Sequence, residues 1–186
     1  MKKLSILAIL IALVIASFAL PSFAEEGCNA NTDYLALGHE QHHAGDYQSA
    51  LASANCGLSF DRENYLLWML LAEVYCHTGE FDLSVDAYSH AIEIRPNSGY
   101  AYNNRGWANY QHGDMYAAMF DLNHAIELDS EMAYAFNNRG LVWQTLGERE
   151  NARADFEQAI ALGLDEAWAE INLYNVEFEI EKLKQS

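Results

Sequence analysis

The chain has 186 residues, and 27 acidic against 10 basic side chains give it a net charge of −17. Such a chain repels nucleic-acid phosphates and anionic lipid, and no cluster of lysine or arginine forms a local basic patch, so nucleic-acid binding is set aside. Three cysteines (Cys28, Cys56 and Cys76) leave room for one disulfide and one thiol if the compartment is oxidising.

Lys2 and Lys3 precede an apolar run from Leu4 to Leu20, Pro21 breaks that run, and Ser22-Phe23-Ala24 places small residues before a cut. This is the layout of a bacterial-type signal peptide, residues 1–24, and it implies export to the periplasm or secretion. The rival is an uncleaved anchor, in which case this segment is the chain's only membrane contact. Cys28 is no lipoprotein site, because Glu25 and Glu26 stand where apolar and small residues are needed. Cleavage leaves 162 residues, the size of one domain, and takes Lys2 and Lys3 with it, so the net charge becomes −19.

After a lead-in at 25–30, rows of 34 residues align without insertion: 31–64, 65–98, 99–132 and 133–166. Tyr34, Trp68, Tyr102 and Phe136 set a large ring near the start of each row. Gly38, Ala72, Gly106 and Gly140 follow, small enough for a neighbouring helix to approach. Gly45, Gly79, Gly113 and Gly147 end the first helical stretch with a residue free to turn left-handed. Gly57, Ala91, Ala125 and Ala159 mark a close contact on a second helix. Each row is a helical hairpin too small to bury its own apolar face, so stacking must supply the core. Residues 167–186 keep a helical rhythm through Trp168, Ile171, Leu173, Val176, Ile180 and Leu183, and predict a closing helix.

These columns resemble the tetratricopeptide repeat, over residues 31–166. There are departures: only the second unit ends in proline, Pro96, and Gln41 and Asn109 stand where the pattern has tyrosine. The resemblance implies an all-α, right-handed superhelical array of hairpins whose first helices line a concave wall. On that wall the third unit offers Tyr100, Asn103, Asn104, Trp107 and Tyr110, and the fourth offers Tyr134, Asn137, Asn138, Leu141 and Gln144. Amides donate to and accept from an extended backbone, and rings give contact area at low entropic cost, so this wall predicts a groove for a protein or peptide. The first two units present Leu35, Leu66 and Met69 instead. Related arrays seize a chaperone's carboxylate tail with lysine and arginine around asparagine. Only Asn104 and Asn138 resemble that clamp, and the basic partners are missing.

Within the first unit, His39-Glu40-Gln41-His42-His43 matches H-E-x-x-H, the signature of zinc proteases. The repeat places it at the end of a helix closed by Gly45, where a protease would run on toward a further ligand, so no catalysis is expected from it. His39 and His43 share a helix face, and a shift of one repeat brings Glu73 and His77 beside them. That quartet is the alternative reading, a metal-binding or pH-responsive protein with zinc as the one cofactor the sequence admits. His42, His90, His112 and His124 read as ordinary surface or groove residues. Arg105 and Arg139 replace an apolar residue of the repeat, and Asp121 and Asp155, sixteen places on, predict an ion pair within each hairpin. No phosphate-binding loop and no nucleophile beside a base occurs, so the chain is read as a non-catalytic scaffold. Antiparallel packing of the first hairpin brings Cys28 and Cys56 together and leaves Cys76 apart, so those two form the expected disulfide.

Overall fold

A computed structural model describes residues 28–164 and 166–184, and for 166–171 the backbone alone. The signal segment and the start of the lead-in lie outside the described residues. Helices α1 (Tyr34–His43) and α2 (Tyr47–Phe60) form the first hairpin, α3 (Tyr65–Thr78) and α4 (Phe81–Ile94) the second. The third pairs α5 (Gly99–His112) with α6 (Met115–Leu128), the fourth α7 (Ala133–Thr145) with α8 (Arg149–Ala161), and α9 (Glu166–Lys184) closes the array. No strand occurs among the described residues, and no helix there is long and apolar enough to cross a membrane.

Local chemistry sets the helix ends. Asp33, Asp46, Asn64, Ser98 and Asp114 each accept a hydrogen bond from a backbone amide three residues on, satisfying an otherwise orphaned donor. Gly45, Gly79, Gly113 and Gly147 adopt φ between +77° and +92°, as the columns predict.

Packing follows the small-residue columns. Ala91, Ala125 and Ala159 are fully buried. A methyl group added to Gly140 would stand 2.5 Å from Cε1 of the buried Phe156 ring, so α7 and α8 meet at a distance only glycine permits. On α9, Val176 and Ile180 are buried and Leu173 packs against the cluster formed by Ala152, Phe156 and Val176, which covers the last hairpin, while Leu183 stands exposed. Cys28 and Cys56 are joined, with Cα atoms 5.5 Å apart, and Cys76 remains a thiol that burial makes harder to ionise.

Each first helix touches the first helix of the next unit, whereas no second helix touches the next second helix. The array therefore curves, with α1, α3, α5, α7 and α9 on its inner side. That curvature creates the wall on which a site could form.

Candidate functional site

The inner wall of the third and fourth units divides its side chains into two groups. Tyr100 and Tyr134 are 64% and 60% exposed, and they flank a depression of about 270 Å3 that also involves Asp129, Glu131, Met132 and Leu164. Trp107 and Tyr110 lie half-buried against each other, ring centroids 5.5 Å apart, and the Tyr110 hydroxyl meets Thr145 Oγ1 at 3.3 Å. Asn104, Asn138, Leu141 and Gln144 are also half-buried.

Asn103 and Asn137 depart from expectation: both are buried, not presented to the groove. Asn103 Nδ2 donates to Asn104 Oδ1 at 2.9 Å, and Asn138 Nδ2 donates to Asn103 Oδ1 at 3.1 Å. Asn172 Nδ2 on the closing helix donates to Asn137 Oδ1 at 2.9 Å. This column faces the next inner helix rather than solvent, and a buried amide there must find partners across that contact. Asn103 and Asn137 thus hold the superhelix, and part of the bonding capacity of Asn104 and Asn138 is spent on it.

Beneath the wall lie the expected ion pairs, each bidentate. Arg105 Nε and Nη2 donate to Asp121 at 2.9 and 2.7 Å, and Arg139 makes the same pair with Asp155 at 2.8 and 2.7 Å. Asp121 holds the Arg105 pKa above its ordinary value. Each arginine also reaches back to the preceding hairpin: Arg105 Nη1 donates to Ser89 Oγ at 2.9 Å, Arg139 Nη1 to Asn123 Oδ1 at 2.7 Å. Each guanidinium therefore ties three helices and is not free to take an anion. Asn109, in the column where the repeat has tyrosine, donates to Asp121 at 3.0 Å.

The histidines of the first two units assemble differently from the expected quartet. His42, Glu73 and His77 come together, each with a ligand atom within 4.8 Å of the others, and His42 Nε2 lies 3.2 Å from His77 Nδ1. His39 and His43 stack on each other along α1, ring centroids 6.4 Å apart, outside that group. Side chains of one column point in the same direction in successive units, so it is His42, one place earlier than His43, that meets His77. Partial burial pushes the His42 pKa down; Glu73 pulls it up, and His77, His43 and His39 push it down further. His90, His112 and His124 each meet a carboxylate, of Glu93, Asp82 and Glu127, at 3.4, 3.4 and 3.2 Å.

Tetratricopeptide-repeat family models match residues 72–113, 99–132 and 133–162. The chain is a tetratricopeptide-repeat protein. Its loosest unit, 31–64, lies outside those matches. Among solved structures this repeat protein is similar to MamA, with 24% identity and a TM-score of 0.70 over 82% of each chain. It is also similar to PilF of Pseudomonas aeruginosa, 21% identical, TM-score 0.73, over 80% of this chain and 68% of that one. A third likeness is the first repeat domain of Spaghetti (RPAP3) bound to the HSP90 peptide SRMEEVD, 22% identical, TM-score 0.61, over 65% of this chain and 96% of that one. No curated protein matches the chain.

Proposed function

We propose that this protein is an exported, non-catalytic scaffold that binds an extended protein segment on the inner wall of its third and fourth units. The carrying observation is the exposure of Tyr100 and Tyr134, one repeat apart, on the wall that also carries the half-buried Trp107, Asn104 and Asn138. Rings left in solvent on a rigid wall bind at low entropic cost, because little of the wall must be ordered on contact. Asp129 and Glu131 beside those rings, together with the acidic charge of the chain, favour an uncharged or basic segment over an acidic tail. The peptide bound by RPAP3 supports the general mode, and the missing basic clamp argues against that peptide here.

Export rests on the sequence of residues 1–24. Purification from fractionated cells should yield a chain beginning at Glu25 from the exported fraction; an intact Met1 in the cytosolic fraction contradicts export. For the groove, a displayed library of random peptides is selected on the purified protein. Selected peptides should be rich in lysine, arginine or neutral residues and should lose binding to Trp107→Ala. Peptides that bind Trp107→Ala unchanged but lose Tyr116→Ala with Phe120→Ala would move the site to α6, where those two rings stand 87% and 68% exposed.

A further inference from the structure

We propose that His42, Glu73 and His77 form a divalent-metal site of the zinc class, bridging the inner helices of the first two units. Two imidazoles and a carboxylate are donors that zinc accepts, and three protein ligands leave a fourth tetrahedral position for water. Reach is the first requirement across two helices. Zinc bonds of about 2.0–2.2 Å in a tetrahedron set ligand atoms about 3.3 Å apart. One ligand atom from each of the three residues lies within 4.8 Å of the others, so side-chain turns complete the set without moving a helix.

Orientation is the second requirement. His77 Nδ1 lies 3.0 Å from the Glu73 backbone oxygen. With its proton donated there, the lone pair sits on Nε2, and such an outer bond fixes the tautomer of a ligand imidazole. The Tyr47 ring stacks on His77 at 5.7 Å and leans on His42 at 5.6 Å, which limits the rotation of both imidazoles.

The alternative is a plain hydrogen bond between two neutral imidazoles, which binds no ion. Zinc chloride titrated by calorimetry into the chelator-treated protein, purified from cells expressing the full chain, separates the two. The site predicts one ion per chain and a melting temperature raised by ~5–10 °C at a hundredfold excess over Kd. His42→Ala and His77→Ala should each weaken zinc by more than the ~10–100-fold that loss of an outer-shell partner costs. Glu73→Gln, which keeps the side-chain shape, should weaken it as well, and His39→Ala with His43→Ala should leave it unchanged. Failure of the unmodified protein to bind one ion overturns the site, as does affinity that survives His77→Ala. Loss of binding in the His39→Ala, His43→Ala variant would place the ion on α1 alone and overturn it too. Peptide binding on the third and fourth units is a separate readout, so either result stands without the other.

Discussion

The first two hairpins and the last two use the same columns for different chemistry. Seven places into each row stand Leu37, Leu71, Arg105 and Arg139, and sixteen residues later stand Ser53, Ala87, Asp121 and Asp155. Small side chains take the place opposite the leucines in the row, whereas each arginine pairs with an aspartate. Five places in, Leu35 and Met69 give way to Asn103 and Asn137. One backbone thus accepts an apolar or a polar solution at the same contact, provided both sides of the contact change together. The polar half gains directional ties between helices, and a wall whose rings need not be buried. The N-terminal half instead carries the disulfide and the histidine cluster.

Breaking the polar solution on one side should show the largest effect. Asp121→Ala leaves the Arg105 guanidinium unpaired in a half-buried site and should cost about 3–5 kcal/mol in urea unfolding. Adding Arg105→Leu, which transplants the Leu71–Ala87 pair, should recover most of that loss, since an apolar replacement for a buried pair is often neutral. No recovery would mean that the two solutions are not interchangeable. In the other half, Cys28→Ser with Cys56→Ser opens a loop of 28 residues and should cost about 3–4 kcal/mol. Gly140→Ala should cost about 1–3 kcal/mol, because the Phe156 ring it meets is buried and cannot turn aside. Gly38→Ala should cost less, because it meets the end of the Leu70 side chain, which has rotamers to move into. Tyr100→Ala should change stability by less than about 0.5 kcal/mol, since that ring is exposed.

The hairpins, their left-handed turns and the Arg–Asp pairs were legible because each is a relation within one repeat. The closing helix was legible from its apolar rhythm. Contacts between repeats were harder to read. Four of them join residues 35 apart: His42–His77, Asn103–Asn138, Tyr110–Thr145 and Asn137–Asn172. A shift of 34 finds residues that point the same way, and a contact needs one side chain facing forward and one facing back. That single step is why His42 replaces His43 in the cluster, and why Asn103 and Asn137 are buried ties instead of groove residues. Gly163, with φ +85°, ends α8 in a column that holds no glycine in the other units, so the repeat gave no signal for it.

The proposed division of the inner wall into exposed rings that bind and buried amides that hold is tested most directly by measuring melting temperature and peptide affinity on two double variants. A peptide selected on the unmodified protein serves as the ligand. Tyr100→Ala with Tyr134→Ala should lose affinity by ~1–3 kcal/mol while melting stays unchanged. Asn103→Ala with Asn137→Ala should lower the melting temperature by several degrees, because each leaves a neighbouring amide unpaired, with the affinity of the folded protein kept. The reverse pattern, with affinity lost through the asparagines and melting lowered through the tyrosines, would contradict the account.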